Sequence, residues 1–288
     1  MHAILLIAHK GIDYIENFCK QFDNDNDFQI YIHYDAKNHI EQSDIDNLKK
    51  QFSNIRYFCS KFEGKYFDFS LVEIELLLIK EALKDNHTYC HLMSEQCYLT
   101  TTLQFFKDFF TNNNNEYIQI VYMLKEIANT KYKLNYWRNI NNRYFYFGSQ
   151  WWSLTSTLLN KIINHPKLDE YIYENIVYSM KEHRQAVDET FFQSFIMHYD
   201  LYNEDSMLTC NDKISSSLRY VDWEFKEHSN KDHPATLGTL PQFYDEQFIQ
   251  ITMSKSLIIR KIDFKNKNSI KMLNDVKTFY KKHNYLLK

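Results

Sequence analysis

The residues best suited to chemistry lie in one stretch of the sequence, between positions 147 and 192. Trp151 and Trp152 are adjacent, and flat aromatic side chains with an N–H at the edge suit the apolar face of a sugar ring. Asp188 and Glu189 stand at the start of a predicted helix, where a carboxylate could accept a proton from a hydroxyl. A structural role also fits, because tryptophans pack in cores and Asp caps helices. The stretch therefore predicts either a carbohydrate site or a core segment.

The composition excludes several classes of protein. The 288 residues carry a formal net charge of −3, so we expect no nucleic-acid partner. Gly and Pro number 4 and 3, which disfavours disorder and a sandwich of many tight turns. The 5 cysteines form no C-x-x-C pair, a pattern typical of reduced thiols. No apolar run reaches the ~18 residues of a membrane helix and no signal peptide is recognisable, so the sequence predicts a soluble cytoplasmic protein.

Strand and helix patterns alternate through the first 110 residues. Short apolar runs predict strands, and segments with helical periodicity separate them. The predicted strands are His2–His9, Phe28–Tyr34, Ile55–Phe58 and Tyr89–Met93. The predicted helices include 71–83, 103–110 and one in which Ile15, Phe18, Cys19 and Phe22 share a face. This alternation predicts an α/β fold with a mostly parallel central sheet flanked by helices.

The rest of the chain predicts a less regular arrangement. The predicted strands and helices are 117–122, 144–147, 155–164 and a helix from Asp188 onwards. A basic, aromatic loop at 125–143 separates the two strands. The basic amphipathic segment 261–288 is expected to pack on the domain, with contact to anionic lipid as the alternative. No internal repeat divides the chain, so we predict one domain.

Short segments spread over nearly the whole chain resemble one enzyme family. They are Ala8-His9-Lys10, Ile32 to Lys37, Leu92 to Leu99, Gly148 to Leu154, Asp188-Glu189, Leu218 to Trp223, His233-Pro234 and Arg260-Lys261. Each segment is weakly specific, but their order and spacing are similar to those of the core-2/I-branching glycosyltransferases. This family includes β-1,6-N-acetylglucosaminyltransferases and peptide O-xylosyltransferases.

The resemblance implies a GT-A-like fold and a single glycosyltransferase domain over residues 1–288. Residues 1–110 would form the nucleotide-sugar-binding half, and residues 111–288 the acceptor-binding and catalytic half. The implied reaction is an inverting transfer of a sugar, with GlcNAc as the first candidate, from a UDP-sugar to a glycan hydroxyl in surface polysaccharide synthesis. A xylosyl- or glucosyltransferase of the same fold is the alternative.

Inversion at a glycosyl carbon needs one base that takes the proton from the incoming hydroxyl. Family members carry a Glu at the position of Glu189, so the resemblance implies that Glu189 is the catalytic base. A charge that complements the helix dipole is the structural alternative. Asp188 is expected to orient the base or to cap the helix.

The resemblance also implies residues that contact the sugars. Trp151, Trp152 and Trp223 would form apolar walls, and Arg219 is a further expected substrate-binding residue. Charged residues of the 125–143 loop would face the acceptor, but none of them matches the family closely.

Negative charge on the departing diphosphate must be stabilised. Branching members use basic side chains without a metal ion, and Arg260 with Lys261 matches that basic site. No Arg lies between Arg219 and Arg260 to make a second contact. The residues that could replace it are Lys231, His233 and Lys255.

A metal-dependent enzyme is the first rival hypothesis. Asp-x-Asp pairs occur at 23/25, 25/27 and 44/46, all in polar stretches that flank helices. A solvated surface explains these pairs better than a metal site does. We therefore expect no metal ion and no cofactor, with the UDP-sugar acting as substrate.

Nucleoside recognition is expected at the ends of the first two predicted strands. His9 and Lys10 end the first, and Asp35, which resembles the acidic residue of the family's uridine site, ends the second. A strand-end turn is the structural alternative for Asp35.

The segment Ser94-Glu95-Gln96-Cys97-Tyr98-Leu99 departs from the family pattern Ser-Gly-Gln-Asp-Tyr-Pro-Leu. Because the Gly, Asp and Pro of the family pattern are missing, the identity of the donor sugar stays open. The same departure supports a second rival hypothesis, in which the protein is a non-catalytic glycan-binding accessory protein.

The expected partners follow from this interpretation. They are a UDP-sugar donor and a glycan or lipid-linked glycan acceptor, with at most peripheral membrane contact. The expected location is the cytoplasm, at the inner face of the membrane.

Overall fold

The structure is a computed structural model that describes residues 1–22, 25–66, 68–111, 113–120, 146–182, 186–202, 217–225 and 233–283. The strands are β1 (His2–Ala8), β2 (Phe28–Tyr34), β3 (Ile55–Cys59), β4 (Tyr89–Ser94), β5 (Tyr98–Leu99), β6 (Ser153–Thr155), β7 (Arg219–Val221) and β8 (Ile258–Arg260). The α-helices are α1 (Ile12–Cys19), α2 (Gln42–Gln51), α3 (Ser70–Ala82), α4 (Leu103–Phe110), α5 (Ser156–Ile163), α6 (Leu168–Glu182), α7 (Phe191–His198), α8 (Tyr244–Ser254) and α9 (Lys267–Lys282). Short 3-10 helices cover Val187–Glu189 and Pro241–Phe243.

The larger sheet has the order β3-β2-β1-β4-β6. Its first four strands are parallel, and β6 runs antiparallel to β4. In the register, Ala8 pairs with Tyr34 and Ile7 with Ser94, so the carboxyl ends of β1, β2 and β4 lie at one edge. The predicted α/β class with a mostly parallel sheet and flanking helices is confirmed.

Apolar helix faces cover both sides of this sheet. The faces of α1, α4 and α9 pack on one side, where Ile15, Phe18 and Phe106 are fully buried. The faces of α3, α5 and α7 pack on the other, with Leu78 and Phe195 among the fully buried side chains. Strands buried on both faces need continuous apolar runs, which explains why β1 and β2 are so apolar.

The smaller sheet has the order β5-β8-β7 and was not predicted. Strand β8 pairs antiparallel with β5 and parallel with β7, so it connects the region after β4 to the end of the chain. This pairing brings Arg260 to the carboxyl edge of the larger sheet, where its Nε donates to Ser94 Oγ at 3.3 Å.

A buried hydrogen-bond chain joins four strands. His2 Nδ1 and His91 Nε2 lie 3.1 Å apart, His91 Nδ1 and Ser153 Oγ 2.8 Å, and Arg219 Nη2 donates to Ser153 Oγ at 3.1 Å. Burial lowers the pKa of His2 to about 4 and that of His91 well below its usual range. Both imidazoles are therefore neutral at neutral pH, and the chain links β1, β4, β6 and β7 without a net imidazolium charge.

One prediction for the second half is wrong in detail. The described part of the predicted strand 117–122 is not a strand but makes an isolated bridge from Tyr117 to Ser153. The ordered antiparallel strand is β6 instead, directly before the predicted helix at 155–164, which is observed as α5. The loop 125–143 and most of the predicted strand 144–147 lie outside the described residues. Among the described helices, none has the length and hydropathy that a bilayer crossing requires.

Candidate active site

A cavity of about 850 Å³ opens at the carboxyl edge of the larger sheet. Its described walls come from the residue after β1, the loop before α3, the segment 147–151, the 3-10 helix Val187–Glu189, β7 and the end of β8. This volume lies in the range of sites for ligands of several rings. The site therefore forms where the two sheets meet, at the place expected for ligands in open α/β sheets.

Glu189 lies on the cavity wall at the end of the 3-10 helix, directly before α7. Burial, followed by the neighbouring Asp188 carboxylate, raises the pKa of Glu189 to about 8, while the Arg260 guanidinium acts in the opposite direction. The ion pairs of the described residues do not include this carboxylate. It is therefore a basic carboxylate that faces an open space.

Asp188 also lines the cavity but is more enclosed, at 8% exposed. Burial raises the pKa of Asp188 to about 6, and hydrogen bonds from the backbone N–H groups of residues 188 and 189 oppose the rise. Neither the 3-10 helix Val187–Glu189 nor α7 has a side-chain cap hydrogen bond, so Asp188 does not cap a helix. The geometry fits the expected role of Asp188 beside the base.

The segment before β6 is fixed to the base by its backbone. The Gly148 N–H donates to the Glu189 carbonyl at 2.9 Å. A Cβ at position 148 would lie 1.7 Å from the Gln119 carbonyl oxygen, so glycine is required for this close approach. The buried Gln193 on α7 adds a second link, because its Nε2 donates to the Ser149 carbonyl at 2.8 Å.

A third link reaches α3. Gln150, which lines the cavity, donates from Nε2 to Glu75 Oε1 at 2.9 Å. Glu75 is fully buried, and burial raises its pKa well above the usual range, with Asp188 adding to the rise and Gln150 opposing it. This pair was not predicted from the sequence. Its signal was a charged residue on the buried face of an otherwise apolar helix.

The three predicted tryptophan walls do not all reach the cavity. Trp151 lines it, and the Arg260 guanidinium lies 4.5 Å from its ring centroid as a cation–π contact. Trp223 lines it from the rim and is 50% exposed. Trp152 is fully buried instead and packs against Phe192 with ring centroids 5.6 Å apart. Successive side chains of an extended segment point to opposite faces, so Trp152 belongs to the core.

The predicted basic groups lie together near the end of β8. Arg260 lines the cavity, whereas Lys261 is half-buried and lies behind its described wall. Burial, then Arg260 and Lys10, lower the pKa of Lys261 to about 8, and Glu95 acts in the opposite direction. Lys10 lies outside the described wall and contacts the Tyr14 ring at 4.8 Å. Arg260, Lys261 and Lys10 form a cationic region, and Arg260 is its member that acts on Glu189.

A buried carboxylate fixes the end of β1. Glu95 Oε1 accepts the backbone N–H groups of His9 and Lys10 at 3.1 and 2.9 Å and lies 3.2 Å from His9 Nδ1. His9 lines the cavity, and burial lowers the pKa of its imidazole. Glu95 stands where the family pattern has glycine. At this position of the departing segment, Glu95 therefore holds the residues that follow β1.

Asp35 follows β2 as expected but lies outside the described cavity wall. Its Oδ1 accepts the Lys37 N–H at 3.0 Å, and its Oδ2 lies 3.3 Å from Lys37 Nζ. This arrangement is the strand-end turn that was the structural alternative for Asp35.

Arg219 lines the cavity, but its guanidinium forms hydrogen bonds within the protein. It donates to the carbonyl oxygens of Leu92, Trp152 and Ser217 as well as to Ser153 Oγ. Burial lowers the pKa of Arg219 to about 9. The structure therefore places this predicted substrate contact in a position that holds β7 against the larger sheet.

A tyrosine missed by the sequence analysis stands at the rim. Tyr66 lines the cavity, and its hydroxyl lies 3.2 Å from Nδ1 of His233. It carries no motif, and its position depends on the loop before α3.

The Asp-x-Asp pairs lie away from this cavity. Asp25 and Asp27 both pair with Lys107 Nζ at 3.0 Å, Asp23 lies outside the described residues, and the remaining pair begins α2. Across the residues that the structure covers, no group of three or more His, Cys, Asp or Glu side chains could hold a metal ion.

Comparison with known proteins agrees with the sequence segments. The family model described as Core-2/I-Branching enzyme matches residues 3–252. Similar solved structures include the glycosyltransferase GlyE of Streptococcus pneumoniae TIGR4 (11% identity, TM-score 0.45) and its apo form (10%, 0.44). Each alignment covers 98% of this chain and 63% or 64% of the other, so this chain spans less than two thirds of their length. No curated protein matches. The chain belongs to the core-2/I-branching enzyme family of glycosyltransferases.

Proposed function

We propose that this glycosyltransferase inverts the anomeric centre as it transfers a sugar from a UDP-sugar to a hydroxyl of a glycan, with Glu189 as the base. The observation that carries the proposal is the Glu189 carboxylate on the wall of the 850 Å³ cavity, with its pKa raised to about 8 and Arg260 nearby. GlcNAc is the first candidate for the transferred sugar, and xylose or glucose is the alternative.

The proposed reaction is a single displacement. The acceptor oxygen forms a bond to the anomeric carbon while its proton passes to the Glu189 carboxylate. The bond from that carbon to the diphosphate oxygen breaks, and UDP leaves with the electron pair. A base is most effective when its pKa lies near the working pH, and a pKa of about 8 meets that condition.

Charge on the leaving UDP would be neutralised by the cationic region. Arg260 is held in place by the Trp151 ring and by Ser94 Oγ, so its guanidinium is pre-oriented at the cavity wall. Lys261 and Lys10 add positive charge behind it. Fixed cations can supply the stabilisation that a metal ion supplies elsewhere, so we propose a metal-independent reaction.

Aromatic side chains would bind the sugar rings. Trp151, Tyr66 and Trp223 line the cavity from three different segments. The acceptor would be a glycan or a lipid-linked glycan used in surface polysaccharide synthesis, at the cytoplasmic face of the membrane.

The test compares Glu189→Gln with wild type across UDP-GlcNAc, UDP-xylose, UDP-glucose and UDP-galactose. We expect transfer to fall by about a thousandfold, because loss of a general base costs 10²–10⁴-fold, while UDP binding measured by thermal shift persists. Glu246→Gln, an exposed acid on α8, is the control and should retain full activity. Unchanged transfer in Glu189→Gln would exclude this mechanism.

The same assay addresses the rival functions. Activity that disappears in EDTA and returns with Mn²⁺ would favour the metal-dependent enzyme. Binding of UDP-sugars without any transfer, in wild type as in the variant, would favour the non-catalytic accessory protein.

A further inference from the structure

Glu75 is placed where a carboxylic acid is costly. It lies on α3 between the fully or nearly fully buried Ile74 and Leu76, and its own exposure is 0%. Burial of a charged carboxylate requires a partner charge or several hydrogen bonds. Among the described residues its Oε2 has no hydrogen-bond partner, since the nearby Trp152 Nε1 does not reach it with hydrogen-bond geometry. The hydrogen bond of this side chain is the one that its Oε1 accepts from Gln150.

That oxygen holds the Gln150 amide. The Nε2···Oε1 distance is 2.9 Å, and Gln150 lies on the cavity wall beside Ser149 and Trp151. The backbone around Gln150 is already fixed by the Gly148–Glu189 and Gln193–Ser149 hydrogen bonds. With the backbone fixed and the amide fixed from behind, Gln150 has one orientation toward the cavity.

The charge state of Glu75 suits this role. Burial raises its pKa well above the usual range, which favours the neutral form of the acid. The neutral form adds no third negative charge to Asp188 and Glu189. The pKa of Glu189 is shifted by burial, Asp188 and Arg260, and Glu75 is not among these causes.

The exposed part of the amide defines what it can bind. A glutamine side chain has two N–H donors and one carbonyl acceptor, and Glu75 uses one donor. One donor and one acceptor remain for the cavity, a pair that complements a sugar hydroxyl or an acetamido group. A site built to hydrogen-bond a polar substituent strongly rejects an analogue that lacks it.

We propose that Glu75 is a positioning residue that orients Gln150, and that Gln150 is a specificity-determining contact to a hydroxyl or acetamido group of the bound sugar. The proposal rests on the proposed function of the cavity but assigns residues that neither the family match nor the expected base requires.

The experiment measures kcat, KM and the pH dependence of kcat/KM for Gln150→Leu, Glu75→Leu and Glu75→Gln over the same donors. We expect Gln150→Leu to raise KM for the preferred donor or acceptor by about tenfold and to reduce discrimination between UDP-GlcNAc and UDP-glucose by a similar factor. Glu75→Leu should reproduce these changes, and the double variant should lose no more than either single variant. Glu75→Gln, which keeps a neutral acceptor for the amide, should remain within about threefold of wild type.

The control is Glu73→Leu, a partly exposed acid on the same helix outside the cavity lining. Unchanged KM and donor discrimination in Gln150→Leu would overturn the proposal, even if Glu189→Gln is inactive as expected. Loss of transfer by orders of magnitude in Glu75→Gln would overturn it differently, because Glu75 would then be a reacting group. If Glu75→Leu does not fold, Gln150→Leu decides the proposal without it.

Discussion

Two buried polar clusters in this molecule differ in what burial does to them. In the first, His2, His91, Ser153 and Arg219 bond to one another in series, and burial lowers the pKa values of both imidazoles. In the second, Glu75, Asp188 and Glu189 lie close enough to influence one another, and burial raises their pKa values.

The difference lies in which titratable groups reach the cavity. In the first cluster Arg219 lines the cavity but neither histidine does, and in the second Asp188 and Glu189 line it while Glu75 is buried behind Gln150. Desolvation favours the neutral form in both clusters, so a shifted pKa alone does not indicate catalysis. The histidines form a chain of hydrogen bonds enclosed between strands. The pair Asp188 and Glu189 lines the cavity, where a bound molecule could exchange a proton with them. The first cluster should therefore control stability, and the second should control turnover.

The largest expected effect separates the two acids on the cavity wall. Glu189→Gln should lower kcat by about a thousandfold, since the base is removed. Asp188→Asn should lower it by about tenfold, because Asp188 accepts backbone N–H groups and acts through the position of its neighbour. Initial rates at saturating donor measure both. A larger loss in Asp188→Asn than in Glu189→Gln would reverse the assigned roles.

A substitution in the histidine chain should lower the stability of the protein and leave its turnover nearly unchanged. His91→Leu leaves His2 Nδ1 and Ser153 Oγ without their shared partner. An unsatisfied buried polar group costs about 1–3 kcal/mol, so the midpoint of thermal unfolding should fall by several degrees. The kcat of the folded protein should stay within about twofold of wild type.

The control for this variant is His39→Leu, because the His39 side chain is 81% exposed. It should leave both the unfolding midpoint and kcat unchanged. A loss of kcat in His91→Leu without a loss of stability would show that the histidine chain takes part in turnover.

A third prediction concerns the pH dependence of stability. The pKa of Glu189 is raised from 4.5 to about 8 in the folded protein, so its stabilising contribution is complete below pH 4.5 and is lost as pH rises through 8. Each pKa unit corresponds to about 1.4 kcal/mol, before discounting for partial exposure. Glu189→Gln should therefore unfold at a higher temperature than wild type at pH 9 and at about the same temperature at pH 4.5.

Thermal unfolding of both proteins across this pH range tests that prediction. A constant difference between the two proteins would mean that the Glu189 carboxyl has the same pKa in the folded and the unfolded protein. In that case the carboxylate would be an ordinary surface acid, and the distinction between the two clusters would lose its basis.

The sequence predicted the part of the fold that depends on local pattern. Strands β1 to β4 lie within a residue or two of their predicted bounds. Strands β1, β2 and β4 are runs buried on both faces, whereas β3 at the sheet edge is only partly buried. The smaller sheet was missed because β5, β7 and β8 have two or three residues each, too few to show a period. Such short strands are defined by their partners rather than by their own residues.

The predictions for the site divide in the same way, into residues that the motifs identified and contacts that depend on strand pairing. Segments that match the family placed Glu189, Asp188, Trp151 and Arg260 on one cavity wall. The sequence could not show that Trp152 turns into the core. It also could not show that Arg219 bonds to backbone carbonyls, since both outcomes depend on the pairing of β6 with β4 and of β7 with β8.

The contact between Glu75 and Gln150 could not be predicted from the sequence for a related reason. This contact joins two residues 75 positions apart in the chain. The helical period of α3 places Glu75 on the same face as the buried Val72 and Ile79, but it does not show which distant residue the acid contacts.

The prediction with the smallest expected effect concerns the cationic region and the pH dependence of kcat/KM. Lys261 has its pKa lowered to about 8, first by burial and then by Arg260 and Lys10, and Glu95 opposes the shift. Glu189 must be ionised and Lys261 protonated for the proposed reaction, so kcat/KM should be bell-shaped with a maximum near pH 8.

Lys261→Arg should change this profile in one direction. Arginine stays protonated above pH 10, so the alkaline limb should move upward while the acid limb, set by Glu189, stays in place. At pH 7 the rate should fall by a few fold, because the guanidinium does not reproduce the position of the ammonium. The measurement is kcat/KM from pH 6 to 10 for wild type and Lys261→Arg, with Lys265→Arg as the exposed basic control.

If the alkaline limb stays near pH 8 in Lys261→Arg, the group that loses its proton is not Lys261. The positive charge on the diphosphate would then have to come from Arg260 without help from its neighbour.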